Sequence, residues 1–349
     1  MFGTYDPRDV TLLLKDITGR VEPQPASVRE KLIQGGVHSC EMLPLEYRPS
    51  ELDMRTSERA LRLNRGIMAR AAASVAEQIY REKGDRAVLV SLARAGTPIG
   101  ILLKRWLRLR RGVELPHYSI SIIRGRGVDR NAMRYMLDRH APGDIQFVDG
   151  WTGKGAIQRQ LNAAMADFPG VDPGLAVLSD PAGVARLRGT RDDFLIPSAS
   201  LNATVSGLLS RTFLRADIIG PAACHGAAFY SELMGEDLTY AFIDAVADAF
   251  PERASVEPPQ PVDDGAFREV EAIRQHFGIR DVNLVKPGIG EATRVLLRRL
   301  PWKILVHSLE DPERLGHLYQ LAEEKGTPLE VYPLRHYRAC GLIRELADT

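Results

Sequence analysis

Apolar positions run along this chain in two alternating rhythms. AVLVSLA (Ala87–Ala93), HYSISII (His117–Ile123), DIQFVDG (Asp144–Gly150) and LAVLSD (Leu175–Asp180) are short, β-rich apolar runs that predict strands. Between them the apolar spacing lengthens to that of a helix. A long helix is predicted from a cap at Thr56 or Ser57 to about Lys83, with Leu61, Ile67, Ala71 and Val75 near helical spacing. GTPIGILLKRWLRL carries Pro98 in its first turn, where proline is tolerated, and NAMRYMLDRH and GKGAIQRQLNAAMADF are further helices. Strands separated by helices predict a parallel α/β sheet. Ligands of such sheets sit beyond the carboxyl ends of the strands, so the segments after Ala93, Ile123 and Asp149 carry the functional expectation.

The rhythm breaks at SVEPPQPVDDG (Ser255–Gly265), whose prolines cannot continue a helix and whose acids suit a solvated linker. The expected division is a first domain over 1–254, a linker over 255–265 and a second domain over 266–349. In the second, helix AFREVEAIRQHFG precedes NLVKPGIGEATRVLLRRL, strand KILVHS, helix ERLGHLYQLAEEKG, strand LEVYPL and a helix at RACGLIREL. No repeat is evident.

With 349 residues, 44% hydrophobic and 26% charged, the composition is that of a soluble globular protein of two or three compact units. Lys plus Arg (46) nearly balances Asp plus Glu (45), so net charge gives no argument for nucleic acid. The three cysteines, Cys40, Cys224 and Cys340, lie far apart without a CxxC pair, which argues against a zinc site or a disulfide framework and for a reducing cytoplasm. The start MFGTYDPRDV has no signal-peptide character, and no apolar run approaches membrane-spanning length.

The richest chemistry is in FVDGWTGKGA (Phe147–Ala156). Walker A fails there, because Val148 stands at the first glycine position and Gly155 follows the lysine, and the dinucleotide fingerprint fails at Gln158. An anion cradle remains possible. Thr152, Gly153, Lys154 and Gly155 would present backbone N–H groups at a helix start, with a cation and a hydroxyl beside them. Asp149 would repel phosphate, so it suits sugar hydroxyls instead. In SLARAGTPIG (Ser91–Gly100), Gly96 permits a tight turn, the N–H groups of Ala95 and Gly96 could line a second anion nest, and Arg94 adds charge. RGRGVDR (Arg124–Arg130) has cheap glycine hinges and two cations, Arg124 and Arg126. Asn202, Thr204 and Ser206 suit local capping. Cys224 and His225 are adjacent, which turns their side chains apart and argues against a dyad. His38 and Glu41 could face a pocket, although a buried, satisfied histidine is the commoner case.

These stretches resemble the signature of type I phosphoribosyltransferases, with a single acid, Asp149, before Gly150 and Trp151 where the pattern has two. The resemblance implies a parallel-sheet core of that type and binding of phosphoribosyl pyrophosphate by Arg94, Ala95, Gly96, Asp149, Gly150, Thr152, Gly153, Lys154 and Gly155. It further implies catalytic roles for Asp149, Arg124 and Arg126, with Mg2+ held mainly through that substrate and no protein metal ligands. Residues 1 to about 254 are similar to a phosphoribosyltransferase-like family of tellurium-resistance and stress gene clusters, StiP-like, on FVDGWTGKGAI, SLARAG, LNATVSGLLSRT and CHGAAFYSEL. From about Phe267 to Leu346 the sequence resembles the Pelota-type RNA-binding domain, a small α-β-α sandwich. That likeness implies RNA contacts by Lys286, Gly288, Gly290, Glu291, Thr293 and Arg294, with Arg298 and Arg299 on or beside the same helix. The expected function is therefore a cytoplasmic, Mg-dependent phosphoribosyltransferase acting on an unknown, nitrogenous acceptor. Two alternatives stand beside it: a non-catalytic, nucleotide-sensing RNA regulator, and the cysteine protease of the family's other label, which lacks an evident nucleophile setting in the sequence.

Overall fold

The computed structural model describes residues 2–256 and 264–344. The first unit contains strands β1 (Thr11–Leu12), β2 (Lys15–Asp16), β3 (Val88–Ala93), β4 (His117–Ile123), β5 (Gly127–Val128), β6 (Ile145–Trp151), β7 (Leu175–Ser179), β8 (Leu187–Thr190) and β9 (Gly226–Ala227). Its helices are α1 (Ala26–Gln34), α2 (Glu51–Lys83), α3 (Gly96–Arg111), α4 (Arg130–Leu137), α5 (Ala156–Met165) and α6 (Thr239–Ala247). Six strands pair in parallel in the order β1-β4-β3-β6-β7-β8, with β5 antiparallel on β4.

The apolar runs read as strands because the sheet is covered on both faces. Side chains alternate across β3: Leu89 joins α2, α3 and α6 in one core, while Val88, Val90 and Leu92 join α4 and α5 in the other. The predicted parallel α/β core is thus a three-layer sandwich. The long helix begins earlier than its expected cap at Thr56 or Ser57. Ser50 accepts from Asp53 N, and the Asp53 carboxylate accepts from Ser50 N, a complete capping box.

The second unit contains α7 (Gly265–His276), β10 (Val285–Pro287), α8 (Ile289–Arg298), β11 (Pro301–Val306), α9 (Pro312–Glu324), β12 (Leu329–Val331) and β13 (Ala339–Ile343). Its sheet runs β10-β13-β11-β12, with α8 and α9 packed on one face and α7 on the other. This is the expected small α-β-α sandwich, with one correction. Within RACGLIREL, Ala339–Ile343 forms β13 rather than a helix, because it fills the gap between β10 and β11 and pairs antiparallel with both. Glu345 and Leu346 lie outside the described residues. Of the linker expected at 255–265, residues 257–263 lie outside the described residues.

The two units share a core. Ile289, Ala292 and Val295 of α8 pack with Ala60 of α2, Leu195 and Ala199, and partly buried Trp151 joins them. Gly96 lets the start of α3 approach the end of β6: a Cβ there would meet Val148 O at 2.6 Å. The loops after β3, β4 and β6 are thereby gathered at one end of the sheet, under the second unit. No helix among the described residues is long and apolar enough to cross a membrane.

Candidate active site

Where these loops meet, two lobes of about 210 and 180 Å³ lie between the units and share Ala95, Asp149, Trp151, Ile157 and Arg294 in their walls. Asp149, at the carboxyl end of β6, is recessed into both lobes. Burial pushes its carboxyl up to about 7, against a single hydrogen bond from Gly150 N at 2.8 Å. The sign for stability follows from that rise. An unfolded aspartate titrates near 4, at about 3.9, so between about pH 4 and pH 7 the folded protein holds the extra proton and loses stability as pH rises. Asp149→Asn is therefore expected to melt higher than the parent at pH 8, with the gain shrinking toward pH 4. Parallel melting curves across that range would show that Asp149 is not held in this way.

The side chains expected to flank the anion cradle make internal bonds. Thr152 turns inward and donates to Asp180 Oδ1 at 2.6 Å. Lys154 Nζ donates to Val282 O at 2.6 Å, across the unit boundary, and Gly153 O accepts from Tyr337 OH at 2.7 Å. Gly155, with φ of +73°, starts α5. Arg94 is tied to Glu46 at 2.9 Å and to Leu209 O at 3.0 Å. Ala95 and Arg124 line the cavity, Gly150 packs near Ile99 and Ile196, and Arg126 pairs with Glu41 at 3.1 Å. The structure gathers these residues in one place, with the Thr152 hydroxyl engaged by Asp180 and the Lys154 ammonium bonded to the carbonyls of Val282 and Val285.

Most of the residues expected to contact RNA face the first unit, whereas Thr293 turns into the second. Ile289 N, at the start of α8, donates to both oxygens of Asp193, at 3.0 and 3.1 Å, and Arg338 N donates to the same carboxylate at 2.9 Å. Gly288 lies against Asp193, Gly290 against Ala199 and Trp151, and Thr293 is buried on Ile289 O and His317. Lys286, Glu291 and Arg294 line the cavity between the units. As a correction, the Gly288–Thr293 turn is therefore not an open surface. A protein carboxylate occupies the helix start where a phosphate would sit.

The cysteines separate sharply. Cys340 is buried in the second unit's sheet, and burial raises its thiol far above the usual range. Burial and Asp129 push Cys224 up to about 11, while the His225 ring turns away to Ser121 Oγ at 2.8 Å. Cys40 differs. Its Sγ lies 2.9 Å from His38 Nδ1, and His38 Nε2 lies 3.1 Å from Arg124 O. His38 caps the short helical turn Ser39–Glu41, and its Nδ1 also accepts from Cys40 N at 3.2 Å. Only one tautomer satisfies these partners. Nε2–H donates to the Arg124 carbonyl, leaving Nδ1 to accept from the thiol. A nucleophile, a base and a group orienting the base stand in line.

Burial raises the Cys40 thiol, opposed by Arg126, so the resting group is a thiol that needs a base. Cys40 is only 2% exposed, covered in the neighbourhood of Leu214 O, 3.6 Å from Sγ, and the Arg126–Glu41 pair. Attack on a substrate requires that cover to shift. Sequence reasoning missed this pair because its two members are separated by one residue and its orienting carbonyl lies in a remote loop. The histidine two positions before the cysteine in VHSCE was the available signal.

Fold and site together define an α/β protein with a thiol–imidazole pair beside an interdomain cavity. Residues 3–247 match the family described as "Tellurite-like stress resistance cysteine protease StiP", and residues 265–345 match the PELOTA RNA binding domain. A protein named Cysteine protease StiP, from Acinetobacter baylyi, is 34% identical over 370 aligned positions, covering 99% of this chain and 94% of its own. The chain belongs to the StiP family. A hypoxanthine-guanine phosphoribosyltransferase structure from Bacillus anthracis is 15% identical over 38% of this chain and 77% of its own, with a TM-score of 0.26. A second structure of that enzyme, with HEPES in its active site, covers 36% of this chain and 68% of its own at 14% identity and a TM-score of 0.24. Likeness at that level carries no argument. The expectation of a Mg-dependent phosphoribosyltransferase is overturned by the full-length relative and by the family description, both of which name a cysteine protease.

Proposed function

We propose that this protein is a thiol hydrolase of peptide bonds in which Cys40 is the nucleophile and His38 the general base. The observation that carries the reading is the 2.9 Å contact between Cys40 Sγ and His38 Nδ1, with the imidazole oriented by Arg124 O. His38 takes the thiol proton as Sγ attacks the peptide carbonyl. It then returns that proton to the leaving amine, and water completes hydrolysis of the thioester. Arg126 and Arg211 favour the thiolate as it forms. The name of the Acinetobacter relative supports the same chemistry. Treatment with iodoacetamide is expected to stop peptide hydrolysis in step with modification of Cys40, read by peptide mass mapping. Full activity after complete Cys40 alkylation would refute the assignment.

A second reading, RNA binding by the C-terminal unit, is supported by the match of residues 265–345. Asp193 sets its condition: the turn Gly288–Ile289 is available to a phosphate only after that carboxylate leaves. RNA affinity is therefore expected to rise in Asp193→Ala and to fall on Lys286→Glu, measured by filter binding at low salt. Equal affinity in parent and Asp193→Ala would exclude this turn as the contact.

A further inference from the structure

The cavity between the units carries a charge surplus that the hydrolase chemistry has not used. Its walls include the cations Arg94, Arg124, Lys154, Lys286 and Arg294, against the acids Asp149 and Glu291. Arg94 is paired with Glu46, and Arg294 with Glu291 at 3.3 Å. Among the described residues, no carboxylate lies within ion-pair distance of Lys154, Lys286 or Arg124. Lys154 is held by carbonyls alone. Burial, then the charges of Lys286 and Arg124, bring it down to about 8. Glu291, already paired with Arg294, is the acid that attracts Lys286, Lys154 and Arg124 at longer range. The recessed Lys154 and Lys286 beside the exposed Arg124 therefore remain costly to hold without a second anion. The cavity adjoins the thiol through one residue. The Arg124 carbonyl faces His38, and the Arg124 side chain lines the cavity.

Size and lining narrow the class of anion. Each lobe is smaller than a pocket for a drug-sized ligand, so it suits a residue-sized group. The lobe without Lys154 offers Ser198, Asn202 and Ser206, which suit peptide amides. Thr152 turns inward instead of toward a phosphate.

We propose that this cavity is the specificity pocket of the hydrolase, in which Lys286, Lys154 and Arg124 hold a carboxylate of the peptide substrate, either that of an Asp or Glu residue or the peptide's free C-terminus. The inference rests on the thiol hydrolase reading. Asp149 faces the same space, with Arg94, Arg124, Lys154, Lys286, Glu291 and Arg294 around it. Its ionisation adds an opposing charge, so binding of an acidic peptide weakens as pH rises through about 7.

The test uses the full-length protein and fluorogenic peptides in matched pairs: Glu against Gln, Asp against Asn, and free against amidated C-terminus. Acidic members are expected to exceed their neutral partners at least about tenfold in kcat/KM, mainly through KM. In Lys286→Gln that ratio is expected to fall toward one, and Arg124→Gln serves as the second, exposed site if Lys286→Gln fails to fold. A preference confined to the Glu and Asp pairs assigns the carboxylate of an acidic residue, and one confined to the third pair assigns the peptide's end. Equal cleavage of both members of every pair would overturn the inference while leaving the hydrolase reading intact. Binding to Cys40→Ala, read by fluorescence anisotropy of labelled peptides, tests the pocket without turnover. If that protein binds inorganic phosphate but shows no preference for acidic peptides, the carboxylate assignment is wrong. Failure of the parent to cleave any peptide would sink the hydrolase reading itself, whatever the binding preference.

Discussion

Cys40→Ala is expected to lower kcat/KM for peptide hydrolysis about a thousandfold or more, the scale on which loss of a nucleophile acts. Cys224→Ala is expected to leave the rate within about twofold of the parent, because its thiol has no imidazole to activate it. His38→Ala should fall almost as far as Cys40→Ala at neutral pH, since burial keeps the Cys40 thiol protonated and removes the option of a standing thiolate. The two variants then part company with pH. Without His38, activity should recover as pH rises through the raised thiol range, whereas Cys40→Ala stays inactive at every pH. Circular dichroism of Cys40→Ser guards against loss of fold, because serine keeps a donor in the same small space. Wild-type rates in Cys40→Ala, or a large loss in Cys224→Ala, would reassign the nucleophile.

Asp193→Ala should produce the largest stability loss. Its carboxylate is buried and accepts from Ile289 N and Arg338 N, and it neutralises the positive end of α8. Alanine leaves both N–H groups without that acceptor, a cost of roughly 2–5 kcal/mol. The loss falls on the boundary between units, where neighbouring Asp192 also binds Arg314 and Arg338. A clear drop in melting temperature is expected, together with faster amide exchange in α8. Asp193→Asn retains an acceptor oxygen and should lose less. Burial raises the Asp193 carboxyl to about 6. The Asp193 contribution to the parent's stability should therefore decline from about pH 4 to pH 6 and then level, so Asp193→Asn should show a shallower decline over that range. An unchanged melting temperature in Asp193→Ala would show that this contact does not hold the units together.

Several features were legible because they depend on short stretches of sequence. AVLVSLA, HYSISII and LAVLSD read as strands because both faces of the sheet are covered. Gly96 and Pro98 marked the start of a helix that approaches β6 closely. Other features were misread for local reasons. RACGLIREL is a short apolar run that periodicity cannot assign, and its two neighbouring strands decided the matter. The cap at Ser50 was passed over because the apolar stripe of α2 becomes clear only later along the helix.

The side-chain partners in the expected phosphate cradle were illegible for a different reason. Thr152 and Lys154 have the right chemistry in FVDGWTGKGA, but Asp180 and the carbonyl of Val282 claim them, and neither partner is near in sequence. Likewise, the KPGIG turn looks like an exposed anion site until Asp193, 96 residues away, is found on its first amide.

The layered parallel core and the convergence of three loops at one end of the sheet were readable from the chain, since each follows from the burial rhythm of single elements. The α-β-α form of the second unit was implied by its Pelota resemblance. Tertiary structure alone decided which cysteine has a base. Cys40 and His38 are joined to Arg124, 86 residues from His38, by the return of a loop. It also decided that the second unit roofs the cavity rather than offering its glycine turn to solvent. Hydrogen bonds act over a few ångströms of space, and the linear order of residues does not record which remote groups folding brings that close.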